Sequence, residues 1–192
     1  MPSPSGNGEN IVHARQATDI SLRIFDATTE LHECGEAERN ILEAGAMLHN
    51  IGRFVGHGAH HRHSYYLIQN SEHLAGFNEY ERELIALVAR YHRKSAPKPS
   101  HGPYAALAPN GQRIVSLLAG MLRIGIALDR TYRNVAANVS VRCASTSIEV
   151  LVFGEDLEVE LFAANERKGL LEETLGVPIE IIGTPEFCAV PI

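Results

Sequence analysis

The sequence predicts a mainly α protein, in which a helical bundle is followed by a small β-sheet lobe with one helix. Apolar residues recur at helical spacing in the first two thirds of the chain. After about residue 135 they alternate with polar residues, as Val139 and Val141 do, which is typical of strands. The first ten residues are mostly Pro, Ser, Gly and Asn. We therefore predict a disordered lead-in over 1–10, a helical domain over 11–134 and an α+β lobe over 135–192.

Local signals place the ends of the predicted helices. Gly52 stands where a helix C-cap favours glycine, and Asn78 with Glu81 three residues later forms a capping-box pattern. Asn110 is the predicted N-cap of a long apolar helix. The segment "SAPKPSHGP" contains three prolines and is predicted to be a loop. The predicted helices cover residues 11–32, 36–51, 61–73, 78–94 and 110–133.

The small lobe is predicted to contain two hairpins, a helix and a last strand. Alternation over residues 139–143 and 148–152 predicts the first hairpin. The segment "FGEDLEVELF" also alternates and is interpreted as a second hairpin. A helix is predicted over 163–175, ended by Gly176, and "VPIEII" is predicted to be a short strand.

Composition limits the function classes. The chain has 192 residues, 45% of them hydrophobic, with no continuous apolar run long enough to span a bilayer. Its three cysteines are far apart and form no CxxC pair. This pattern argues against a disulfide framework and favours a reducing cytoplasm. Nothing in the sequence indicates a membrane or DNA partner.

The charge is distributed unevenly along the chain. The net charge is -6, but residues 84–142 contain nine Arg or Lys and one acidic residue, Asp129. A basic segment in an acidic protein predicts binding of a small or polymeric anion. The alternative is a solvated helix face that is salt-bridged to acidic helices elsewhere and whose long side chains cover neighbouring surface.

Several histidines and one aspartate could converge inside a helical bundle. His13, His49 with Asn50, His92 and Asp129 lie on different predicted helices or helix ends. Imidazole and carboxylate groups suit a divalent metal such as Mg²⁺ or Mn²⁺, which can activate water against phosphate esters. Each residue also has a purely structural interpretation, such as pairing of Asp129 with Arg133 along a helix.

A second set of residues is suited to binding phosphate without a metal. Arginine offers a planar fork for phosphate oxygens, lysine a point charge, and histidine can gain a proton near an anion. The candidates flank a glycine-containing loop, form the cluster "RYHRK", or end the long helix: Arg53, His61, Arg62, His63, Arg90, His92, Arg93, Lys94, Arg130 and Arg133. In the alternative interpretation, "RYHRK" only complements a helix dipole.

Four segments resemble one known family. They are "LEAGAMLHNIG", "HHRHSYYLIQNS", "GFNEYERELIALVARYHRK" and "LLAGMLRIGIALDRTYR". Together they resemble the C-terminal HD-type helical domain of the exopolyphosphatase / guanosine pentaphosphatase family. The resemblance runs from about residue 13 to 133, and the tail that follows is also similar.

The resemblance implies a binding role more than a catalytic one. In that family an actin-like domain pair with glycine-rich phosphate loops carries hydrolysis, and this sequence contains no such loop. The HD-type domain helps to form a basic channel for polyphosphate and contributes to dimer contacts. The wider HD superfamily binds metal through an early His, a His-Asp doublet and a late Asp. These correspond here to His13, His49, Asn50 and Asp129, with an amide in place of the doublet's carboxylate.

Three hypotheses follow. In the first, the chain is an exopolyphosphatase-related HD-fold module that binds polyphosphate or a guanosine polyphosphate, requires no cofactor, self-associates as a homodimer and works with a separate catalytic domain or subunit. In the second, it is a metal-dependent HD phosphohydrolase acting on a phosphoester or nucleotide. In the third, it is a non-catalytic dimerisation module. Whether the chain is an enzyme stays open, because Asn50 lacks the charge of an aspartate.

Overall fold

The computed structural model describes residues 5–56, 58–144 and 146–184. The helices are α1 (Ser5–Ala27), α2 (Thr29–His32), α3 (Glu36–Leu48), α4 (His60–Gln69), α5 (Glu79–Arg90), α6 (Gly102–Ala105), α7 (Pro109–Ala127), α8 (Glu158–Asn165) and α9 (Gly169–Leu175). Short 3-10 helices cover Ile51–Phe54 and Glu72–Leu74. The strands are β1 (Asn138–Cys143), β2 (Ile148–Phe153) and β3 (Ile179–Thr184). The predicted fold class, mainly α with a small β-sheet lobe, is confirmed.

Helix α7 is the centre of the hydrophobic core. Its side chains are buried on nearly all sides, and α1, α5 and α9 pack against it. Residues such as Leu118 and Leu122 are fully buried within it. Ala17 of α1 comes so close to Gly125 that a side chain there would meet the Ala17 carbonyl oxygen at 2.5 Å. No helix among the residues that the structure describes is long and apolar enough to cross a membrane.

The three strands form one sheet in the order β1-β2-β3. Strands β1 and β2 are the predicted antiparallel hairpin, with Val141 opposite Val150. Strand β3 runs parallel to β2 and places Ile181 beside Val150. The parallel pair requires a crossover, which α8 and α9 provide. Gly176 ends α9 in a left-handed conformation with φ of 73°, as its position in the sequence predicts.

Two predictions need correction: the second hairpin of the small lobe and the disorder of the first ten residues. The "FGEDLEVELF" segment is not a hairpin, because α8 begins at Glu158 after a turn that contains Asp156 at a positive φ. Glu158 and Glu160 lie in the first turn of α8, where acidic residues favour a helix. The lead-in predicted to be disordered over 1–10 is helical from Ser5 onward. The first four residues lie outside the described part of the chain.

Three helices end earlier than predicted. Helix α5 stops at Arg90 instead of residue 94, and Lys94 adopts a left-handed conformation with φ of 59°. Helix α7 stops at Ala127, and Arg130 and Arg133 lie in the loop that follows it. Helix α4 ends at Gln69 rather than at residue 73. As a result, several predicted phosphate-binding residues lie on loops and not on helix faces.

Candidate functional site: buried histidines and a basic face

A row of histidines crosses the interior of the helical bundle. The ring of His49 lies 5.7 Å from that of His13 and 4.9 Å from that of His92, measured between centroids. The row continues with His60, whose ring stacks 5.4 Å from His92. These residues come from α1, the end of α3, the end of α5 and the start of α4. The structure thus brings together three of the predicted histidines, His13, His49 and His92, and adds His60, which is not among the predicted residues.

The two central histidines are held in one neutral form. Nδ1 of His49 donates to the Ala46 carbonyl at 2.6 Å, and Nδ1 of His92 donates to the Ala89 carbonyl at 2.6 Å. Because a carbonyl can only accept, Nδ1 carries the proton and Nε2 is a lone-pair acceptor. Burial lowers the pKa of His49 to about 3 and holds the pKa of His92 well below 6.5. Neither ring is charged at neutral pH.

His13 is paired with the carboxylate predicted to accompany it. Its Nδ1 lies 2.8 Å from Oδ2 of Asp129, and both side chains are 1% exposed. The other oxygen, Oδ1, accepts a hydrogen bond from the backbone N–H of Asn134 at 2.9 Å. Tyr132 stacks on His13 with centroids 3.9 Å apart. Asp129 therefore fixes His13 and also shapes the loop after α7.

The predicted metal-ligand set does not fit a divalent metal in this arrangement. Both oxygens of Asp129 already accept hydrogen bonds from His13 and Asn134. Asn50, in the turn after α3, brings no charge to replace a carboxylate. No group of three or more His, Cys, Asp or Glu side chains within the described ranges is placed to hold a metal ion. Nε2 of His13 and of His49 are nevertheless buried and have no hydrogen-bond partner among the described residues.

Several basic side chains converge beside the outer end of the histidine row. Arg93 Nη1 lies 3.2 Å from Nδ1 of His60. His61 is 9% exposed, and its Nδ1 has no hydrogen-bond partner within the described part of the chain. Burial and, after it, the charges of Lys94 and Arg93 lower the pKa of His61 to about 4. The charges of Arg62, Arg93 and Lys94 act on His61, and those of Arg93 and Arg130 act together on Arg167; we call Arg62, Arg93, Lys94 and Arg130 the basic face.

Arg123 places the loop that carries half of the basic face. Its Nε donates to the Tyr91 carbonyl at 2.8 Å, and its Nη2 donates to the carbonyls of Lys94 and Ser95 at 2.9 Å each. Arg123 is 8% exposed, and burial lowers its pKa to about 10. All three acceptors are neutral, so the guanidinium fixes the loop without cancelling any positive charge.

The basic face has no acidic partners within the described part of the chain. The ion pairs found there are His13–Asp129, Arg39–Asp26, Arg142–Glu149 and Lys168–Glu172. None of them involves a residue of the basic face. The alternative interpretation of a salt-bridged helix face therefore does not apply to these four residues.

The structure places the other predicted phosphate-binding residues differently. Arg53 Nη1 binds Oδ1 of Asn10 at 2.6 Å and the Tyr132 hydroxyl at 3.0 Å. Arg90 lies over the rings of Tyr65 and Tyr91, with its guanidinium carbon 5.4 Å and 5.7 Å from the centroids. His92 is buried and neutral, which argues against contact with an anion. His63 is half-buried and Arg133 is exposed.

Strained backbone positions flank the site. Ala59 before α4, Lys94 after α5, and Tyr132 and Asn134 after α7 all have positive φ values between 55° and 60°. None of them is a glycine, and such conformations cost free energy that the surrounding structure must offset. Such strain is concentrated at ligand-binding sites in proteins. Here it occurs in all three loops beside the histidine row and the basic face.

The neutral histidines predict a pH-dependent stability. Their folded pKa values are lower than the ordinary 6.5, so the unfolded chain binds more protons below that pH. The free energy of unfolding should fall as pH drops from 7 toward 4, by up to about 1.4 kcal/mol per pH unit for each histidine. Denaturant unfolding at several pH values measures this slope.

Replacement of one buried histidine should flatten the slope. In His92→Asn the amide can still donate to the Ala89 carbonyl but cannot titrate. The matched control, His73→Gln, changes an exposed histidine and should leave the slope unchanged. An equal slope in wild type and His92→Asn would contradict this account.

Comparison with known proteins agrees with the family expected from the resemblance. The family described as Ppx/GppA phosphatase, domain III, matches residues 10–173. A guanosine-5'-triphosphate,3'-diphosphate pyrophosphatase of Pseudoalteromonas translucida (strain TAC 125) is 28% identical over 121 residues, which is 61% of this chain and 23% of that protein. The chain thus spans about a quarter of the length of that relative. Since the family match covers most of the sequence, this chain belongs to the Ppx/GppA phosphatase family, in which it corresponds to domain III.

Proposed function

We propose that this exopolyphosphatase-related module binds polyphosphate or a guanosine polyphosphate through the basic face. The observation that carries the proposal is the convergence of Arg62, Arg93, Lys94 and Arg130 without acidic partners among the described residues. Bringing like charges together costs free energy, and a bound polyanion offsets that cost. Arginine forks suit the oxygens of successive phosphates.

The comparison supports the class of ligand. The relative from Pseudoalteromonas translucida is named for a guanosine nucleotide with phosphates on two positions. That name describes the relative, and its extension to this chain is part of the proposal. We include in the proposal a homodimer, a location in the cytoplasm and a separate catalytic domain or subunit that carries hydrolysis.

The metal-dependent phosphohydrolase is a second candidate with one observation in its favour. The Nε2 atoms of His13 and His49, which are buried and lack partners among the residues that the structure describes, could accept a ligand. The engaged carboxylate of Asp129 and the amide of Asn50 oppose it. Metal analysis of chelator-free protein decides between the candidates. Bound Mn²⁺ or Mg²⁺ in the wild type, increased in Asn50→Asp, would support the enzyme, whereas no metal in either protein would exclude it.

Binding of long-chain polyphosphate tests the first candidate. The wild-type chain should bind at low ionic strength, and binding should weaken steeply with added salt because exposed charges are screened. Arg93→Ala combined with Lys94→Ala should weaken binding about tenfold or more, since two charged contacts are lost. Titration calorimetry at several salt concentrations, with and without a chelator, measures both effects. The chelator should change nothing.

A double variant with the same change in charge provides the control. Arg39→Ala combined with Arg142→Ala removes two exposed arginines that have acidic partners, and it should bind nearly as the wild type does. If the wild-type chain does not bind polyphosphate at low salt, or the Arg93/Lys94 variant binds equally well, the proposed function is wrong.

A further inference from the structure

The small lobe contributes an arginine to the neighbourhood of the basic face. Arg167 lies between α8 and α9 and is half-buried. Its position follows from two attachments to the helical bundle on either side of it in sequence. On one side Glu160 Oε1 accepts hydrogen bonds from the N–H of Thr131 at 3.0 Å and from its hydroxyl at 2.6 Å. Thr131 directly follows Arg130, so the start of α8 is fixed beside the basic face.

The second attachment is the contact of α9 with α7. The backbone of Leu171 comes so close to Gly120 that an added side-chain carbon at Gly120 would lie 3.0 Å from the Leu171 Cα. The chain therefore runs from the loop after α7 back to the middle of α7 between residues 160 and 171. Arg167, between these points, lies along the same stretch of α7 that carries Arg123.

Arg123 brings the other cationic loop to that stretch. Its three hydrogen bonds to the Tyr91, Lys94 and Ser95 carbonyls hold Arg93 and Lys94 over α7. Two loops with basic side chains, one from each lobe, are thereby attached to the same part of one helix. The sequence separation of Arg93 and Arg167 gives no indication of this proximity.

The electrostatics agree with the packing. Burial lowers the pKa of Arg167, and the charges of Arg130 and Arg93 lower it further. Burial and the charge of Arg167 in turn lower the pKa of Arg123. No ion pair of Arg93, Arg130 or Arg167 occurs within the described ranges. These guanidinium groups repel one another, which an anion between them would reverse.

We propose that Arg167 joins Arg93, Lys94 and Arg130 to form an anion subsite at the junction of the helical bundle and the small lobe. The subsite binds the phosphate groups of a short oligophosphate segment through side chains of both lobes. This proposal rests on the proposed function and extends it: the small lobe is part of the binding site and not only a cover for the helical core. None of the phosphate-binding residues predicted from the sequence lies in that lobe.

Tripolyphosphate binding by the full chain tests the subsite. Arg167→Gln keeps most of the side-chain stem but removes the charge, and it should weaken tripolyphosphate binding about tenfold. Arg167→Lys restores the charge without the fork and should recover part of the affinity. Arg142→Gln removes a charge from the same lobe at an ion-paired surface position and should change affinity less than about twofold.

Two further measurements separate binding from structure. Tripolyphosphate should raise the unfolding temperature of the wild type and of Arg142→Gln, but raise that of Arg167→Gln much less. The salt dependence of binding should also be shallower in Arg167→Gln, which a purely structural role would not cause.

The two proposals fail in distinguishable ways. If long-chain polyphosphate does not bind the wild type, the proposed function itself is wrong. If polyphosphate binds and depends on Arg93 and Lys94, while Arg167→Gln binds both anions as the wild type does, the subsite is overturned and the small lobe is not part of the site. If Arg167→Gln and Arg142→Gln lose equal affinity, the effect is one of net charge, and the subsite is overturned as well.

Discussion

The buried guanidinium of Arg123 is the constraint on which the candidate site depends. It lies on the central helix α7 and holds the Tyr91–Ser95 loop by three hydrogen bonds to backbone carbonyls. If a carboxylate accepted these hydrogen bonds in place of the carbonyls, it would cancel the positive charge of Arg123. Neutral acceptors satisfy the donors and leave a positive potential beneath Arg93 and Lys94. The left-handed conformation of Lys94 is the local cost of this attachment.

The helical bundle has neutral histidines in its interior and charged arginines and a lysine on the surface beside them. Inside, His49 and His92 are neutral because burial outweighs the hydrogen bonds they donate. Outside, the arginines and Lys94 keep their charges near solvent and lack acidic partners within the described residues. Asp129 contributes to both regions: one of its oxygens orients His13, and the other fixes the loop that contains Tyr132 and Asn134. The central histidines are therefore neutral, while the basic face is suited to the anion.

Sequence patterns placed some element ends correctly and others wrongly, since Asn110 lies inside α7, whose N-cap is Ala108, and Gly52 lies in the 3-10 helix after α3. The Asn78–Glu81 capping box, the β1–β2 hairpin and the Gly176 cap are all present. The alternation in "FGEDLEVELF" was misleading, because Glu160 is buried by its bonds to Thr131 while Phe162 is exposed. Arg123 had a signal in the sequence, a charge within the most apolar stretch of α7. Arg167 had none, since only the tertiary packing of α9 on α7 brings it to the site.

The central claim is that uncompensated arginines from both lobes bind one phosphorylated anion. Side-chain NMR of the arginine Nε–H groups during a tripolyphosphate titration tests it most directly. The account predicts saturable shifts for Arg93, Arg130 and Arg167 with one common affinity, and no shifts for Arg39 and Arg142, which are already paired. Shifts that are equal for all exposed arginines, or absent from the first three, would contradict it.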